Sequence, residues 1–137
     1  MIYRKPRGGP NSPSRTNIHP IQIDLARGRR DRDSLAAQES ALGNLCDLLI
    51  QTRALERALP ICLEVAGRQP PKAEAFYNLA GAQALSGRAE QALVSLARDF
   101  DLGDRDWEYL AKDAWFESLR GDGRFTRLLE RMKQTPP

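Results

Sequence analysis

Apolar residues recur along most of this chain at helical spacing, and the places where that spacing stops divide it into successive helices. From Asp33 or Ser34, either of which can cap, Leu35, Leu42, Leu45, Cys46 and Leu49 fall on one stripe that ends around Thr52 to Arg53. A second stripe, Leu55, Ala58, Leu59, Cys62 and Val65 to Ala66, stops at Gly67, and Pro70-Pro71 bars its continuation. Pro60 sits early enough in that helix to remove at most one ladder bond. A third helix is predicted over Ala73 to Ser86. A fourth runs over Ala89 to Leu102, where Ala89, Ala92, Leu93, Leu96, Ala97 and Phe100 give an amphipathic face.

The last third is helical but broken. Asp106 can cap a short helix through Trp107, Leu110 and Ala111, and Asp113 another that holds Phe116 and Leu119. Gly121-Asp122-Gly123 interrupts the chain, and Asp122 can cap a final helix with Phe125, Leu128, Leu129 and Met132 on its apolar side. Apart from the alternating Ile21, Ile23 and Leu25, which allow a short extended segment, no strand pattern is present, so the predicted class is all-α. The first 20 residues, MIYRKPRGGPNSPSRTNIHP, combine four prolines with two glycines and show no apolar period, which predicts disorder over a tail of residues 1–32 ahead of one helical domain at 33–134.

Charge sharpens this division. Residues 1–32 carry eight Lys or Arg against two Asp, a net of +6, whereas the remainder carries 13 basic and 16 acidic residues, a net of −3. With 137 residues in all, one ordinary domain is the expectation. No run approaches the roughly 18 apolar residues of a membrane span and the N-terminus lacks the apolar core of a secretory signal, so no membrane association and a cytoplasmic location are expected, unless an export signal has been removed. Two cysteines are too few for a disulfide scaffold; Cys46 and Cys62 read as small buried apolar residues, with a redox pair as the alternative.

The chain also repeats itself. A shift of 34 residues places Leu42 on Phe76, Leu45 on Leu79, Cys46 on Ala80, Ala58 on Ala92 and Cys62 on Leu96. In the second copy Phe76-x-x-Leu79-Ala80, Gly87 and Ala92-x-x-x-Leu96 stand in order; in the first, Leu45, Ala58 and Pro70 do. This two-helix period resembles the tetratricopeptide repeat, in copies at about 39–72 and 73–106. LAKDAWFESLRGDGRFTRLLERM, at 110–132, is similar to the closing segment that follows such repeats in many bacterial proteins, although proline is common where Gly123 stands. Departures are Leu42 and Cys46 at the places of the aromatic and the glycine, and Asp104 at the place of the closing proline. The fold that the resemblance implies is an antiparallel helix-hairpin stack, an α-solenoid of two repeats with closing helices over 106–133. Ala80 and Ala92 would sit where the paired helices touch, which lets the backbones approach closely. Leu45, Leu79 and Leu96 would fill the core between pairs, because one repeat cannot bury its own apolar face.

Catalytic and metal chemistry find no footing in the residue pattern. His19, the sole histidine, lies in the proline-rich tail; no Gly-rich sequence follows a strand; and the acidic cluster Asp99, Asp101, Asp104 and Asp106 lacks the spacing of a calcium loop and reads as a solvated helix end. Neither an enzyme nor a cofactor is expected. The resemblance instead implies a protein- or peptide-binding adaptor. Its concave face would be made of Asn44, Asp47, Ile50 and Gln51 from one helix with Tyr77, Asn78, Gly81, Ala84 and Leu85 from the next. Relatives that grip peptide carboxylates use a Lys, Arg and Asn cluster, and here Gly43 and Asp47 stand at two of those places, so that activity is not implied. Two alternatives remain on the sequence: salt-sensitive binding of nucleic acid or an anionic surface by the basic tail, and self-association or docking on a larger complex through Leu35, Leu42 and Leu49.

Overall fold

A computed structural model describes residues 27–136, and among them every regular element is helical. Helices α1 (Arg27–Gln51) and α2 (Leu55–Ala66) form one antiparallel hairpin, and α3 (Ala73–Leu85) and α4 (Ala89–Asp101) a second. Helix α5 (Trp107–Lys112), a 3-10 helix (Ala114–Leu119) and α6 (Gly123–Gln134) close the chain. The second hairpin packs on the first through α2 and α3, α1 also reaches α3, the 3-10 helix lies on α3, and α6 covers α4 and α5. The all-α, helix-hairpin expectation holds. His19 and the alternating Ile21, Ile23 and Leu25 lie outside the described residues.

One boundary differs from expectation. Helix α1 begins at Arg27, so Asp33 and Ser34 lie inside it instead of capping it, and the division between tail and domain at residue 32 falls within a helix. Arginine is a good helix former, and RGRRDR extends the helix without an apolar period to announce it. The other expected caps are present: the side chains of Asp106, Asp113 and Asp122 accept the backbone N–H groups of Tyr109, Trp115 and Arg124.

The two hairpins turn alike. Helices α1 and α3 end at Gln51 and Leu85, and α2 and α4 begin at Leu55 and Ala89, each pair 34 positions apart. Both turns pass through the left-handed region at matching places, Arg53 with φ 63° and Gly87 with φ 79°. Glycine enters that region at little steric cost; Arg53 carries a Cβ there, and its Nη1 donates to the Ile50 carbonyl at 2.8 Å. Helix α2 passes through Pro60 and continues to Ala66, as expected from one missing bond.

Small residues set the closeness of each hairpin. Ala58, Ala80 and Ala92 are fully buried, and Leu79 and Leu96 are buried with them in the shared core, while Leu45 is half-buried at its edge. Ser95 Oγ on α4 donates to Gln83 Oε1 on α3 at 2.7 Å, so the polar pair inside the second hairpin satisfies itself. Cys46 and Cys62 are buried as expected, but they are joined in a disulfide. Facing each other across the first hairpin with Cα atoms 5.1 Å apart, they lie within bonding reach, which the count of two cysteines could not show.

The acidic cluster also departs from the solvated reading. Asp99 is 1% exposed and Asp104 8%. No N–H or hydroxyl donor reaches the Asp99 carboxyl, and the carboxyl of Asp104 is its neighbour. Two carboxyls can bond only if one keeps its proton. Burial pushes Asp99 up to about 10; the bond to Asp104 and the Asp104 charge act in the same direction, and Arg105 opposes them. A carboxyl raised in the folded state contributes stability that is full below its unfolded value of about 4 and is lost as pH rises towards the folded value. The melting temperature should therefore fall as pH is raised from 5 to 9. Asp99→Asn, which keeps a donor for Asp104, should flatten that slope in thermal melts; an equally steep slope in the variant would place the titrating group elsewhere.

Candidate functional site

The nine residues expected to line one concave face separate into two groups. Helix α3 is buried along most of its length, and positions three or four apart on it share a face. Tyr77 and Gly81 meet the closing segment. The Tyr77 ring lies 5.3 Å from Phe116, 6.1 Å from Tyr109 and 6.4 Å from Trp115, centroid to centroid, and its hydroxyl donates to Asp113 Oδ2 at 2.6 Å. Because the other oxygen of Asp113 caps the 3-10 helix, this one carboxylate fastens the closing segment to α3. At Gly81 a Cβ would overlap the six-membered ring of the Trp115 indole.

The expectation that Gly81 leaves room for a ligand backbone is thus corrected: the room is filled by Trp115. Tyr77, Ala84 and Ile50 are likewise buried in the core and present no surface, and Leu85 is half-buried against the same core. The Leu35, Leu42 and Leu49 face is also not continuous, since Leu49 is buried, Leu42 half-buried and only Leu35 openly exposed.

The second group does come together. Asn44, Asp47 and Asn78 line a cleft of about 320 Å³ between α1, the α2–α3 connection and the start of α3. Gln51 is exposed one turn beyond Asp47 and donates to its Oδ2 at 3.0 Å. Small residues, Ala36, Gly43 and Ala75, are among those that line it. The remaining wall includes residues that periodicity did not single out: Glu39, Arg68, Pro70, Lys72 and Glu74. Glu39 faces Arg68 at 3.9 Å and Lys72 at 4.0 Å, while Arg68 also pairs with Glu64 at 3.0 Å. A sequence reading treats 67–72 as a stop signal between helices; only the return of that connection past α1 brings its charges to the cleft.

Asn78 is the informative member. It is 4% exposed, and its Oδ1 has no hydrogen-bond partner. An unsatisfied buried acceptor costs about 1–3 kcal/mol. Among the described residues no group of three or more His, Cys, Asp or Glu side chains is placed to hold a metal ion, and no helix is long and apolar enough to cross a membrane. No protein-family model, curated protein or solved structure matches the chain.

The seating of Trp115 yields a direct check. Gly81→Ala adds a methyl where the indole lies, and overpacking of this kind costs about 1–3 kcal/mol. Denaturant unfolding should show that loss together with a shift in tryptophan emission, and Trp115→Leu should relieve much of the Gly81→Ala penalty in the double variant.

Proposed function

We propose that this chain is a protein-interaction module of tetratricopeptide-repeat type, binding an extended peptide in the cleft between α1 and α3. The observation that carries the binding reading is the cleft of about 320 Å³ that Asn44, Asp47 and Asn78 line together with the small residues Gly43 and Ala75. Asn44, exposed on the rim, and Asp47 add hydrogen-bonding groups along the same line. What supports the repeat assignment is the 34-residue agreement of helix ends, of left-handed turn residues and of the buried small residues Ala58 and Ala92. The role proposed is that of an adaptor or scaffold without catalysis.

The test uses a photo-crosslinking amino acid placed at Asn44, on the cleft, and at Val94, which is 71% exposed on α4. Partners should crosslink from position 44 and not from 94. Equal labelling from both positions would end the assignment of this face.

The compartment we propose follows from the cysteines. Disulfides persist in oxidising surroundings, so the Cys46–Cys62 bond favours an exported or oxidising location over the cytoplasmic expectation. Acid quenching of cells followed by denaturation and alkylation should add no mass to the chain if the bond is present, and two alkyl groups if the protein works in the reducing cytoplasm.

A further inference from the structure

We infer that the Cys46–Cys62 bond is a redox gate for the cleft: the chain binds in its oxidised form, and reduction unfastens α1 and removes one wall of the site. The inference rests on the reading of the cleft as a peptide site and adds its regulation. Position is the first argument. Gly43, Asn44 and Asp47 stand within three residues of Cys46, Val65 stands three beyond Cys62, and all four line the cleft. The bond therefore fastens α1 to α2 where the two helices supply that wall. Glu74, Ala75 and Asn78, on the other side, belong to α3, which the bond does not join.

Packing is the second argument. Among the described side chains of α1, deep burial is confined to Cys46, Asp47, Leu49 and Ile50, and positions 34–38 are all exposed. The buried residues of α2 are Ala58, Cys62 and Ala66. Alanine brings one methyl group to a contact, whereas the second hairpin buries Tyr77, Leu79, Leu96 and Phe100. A helix held by so few side chains belongs to the part of a fold that opens first. Closing a loop with a sequence separation of 16 shifts its equilibrium towards the closed form by a factor on the order of a hundred.

Access is the third. The cysteines are 1% and 0% exposed, so no reagent reaches the sulfurs while the hairpin is closed. In the reduced chain the thiols become reachable whenever α1 moves away. One cysteine thiolate then attacks a disulfide-bearing oxidant and expels a thiol, and the second cysteine displaces the remaining half. Two electrons and two protons pass from the cysteine pair to the oxidant, which leaves as two thiols. A dithiol reverses the exchange and is itself closed to a disulfide. Apparent affinity for a peptide follows the fraction of chains in which α1 is in place.

The test compares the full chain, oxidised and after complete reduction with dithiothreitol, by hydrogen exchange and mass spectrometry. Reduction should speed exchange on the order of a hundredfold across residues 44–51 of α1 and leave residues 125–132 of α6 unchanged. Photo-crosslinking from position 44 should fall about tenfold, as expected if α1 is then in place in one chain of ten. Cys46→Ala with Cys62→Ala should reproduce both effects in the absence of reductant. Unchanged exchange in α1 after reduction, or crosslinking from position 44 that survives it, would overturn the gate and leave the peptide site standing. Equal loss of protection in α1 and α6 would also overturn it, since the bond would then brace the whole fold. No crosslinking from position 44 in the oxidised chain would overturn the peptide site and the gate with it.

Discussion

The structure depends on how closely its neighbours can approach α3. This one helix is touched by α1, α2, α4 and the 3-10 helix, and it is buried at nine of its 13 positions. A helix enclosed in this way cannot carry bulk on every side, because each neighbour's axis must come within about 8–10 Å. The sequence AEAFYNLAGAQAL meets the constraint by giving each side a different amount of bulk. Ala80 is fully buried in the shared core, Gly81 receives the Trp115 ring, and Tyr77 supplies the large side chain around which the closing segment arranges its aromatics. Ala75 and Asn78 are then what remains to face α1, and the cleft exists because that side is lined with little bulk.

Much of this arrangement was legible in the residue pattern, for identifiable reasons. Helix ends are marked locally, by Asp106, Asp113 and Asp122 at starts and by Gly87 in a turn, whereas Asp33 and Ser34, equally able to cap, lie inside α1. The 34-residue register places Ala58 and Ala92 correctly because both hairpins solve the same contact problem. What period could not supply was the identity of the neighbour on each side of α3. Tyr77 and Gly81 are taken up by the closing segment, and nothing in their spacing says so. Lys72, Arg68 and Glu39 were missed because they become neighbours only when the connection after α2 passes beside α1. Asp99 was misread because an acidic run looks solvated until it is known which of its members faces inwards.

The first hairpin faces a problem that the second does not. Among the described residues, α3 packs mainly against α1, α2, α4 and the 3-10 helix and α4 against α3 and α6, whereas α1 and α2 pack mainly against each other and α3. Along α1 the consequence is visible: positions 34–38 are all exposed, and deep burial begins at Cys46. At the matching places in the second copy, Ala80 and Leu96 are held by surrounding side chains; in the first, Cys46 and Cys62 are held by a covalent bond. Closing a loop with a sequence separation of 16 restricts the unfolded chain by about 3 kcal/mol in the chain-entropy account, a contribution comparable to the burial of a large side chain. Asp47 follows Cys46 directly and lines the cleft, so the bond that secures the end of the stack also sets where one wall of the cleft stands relative to Asn78. Stability of the terminal hairpin and geometry of the cleft are therefore coupled through two adjacent residues of α1.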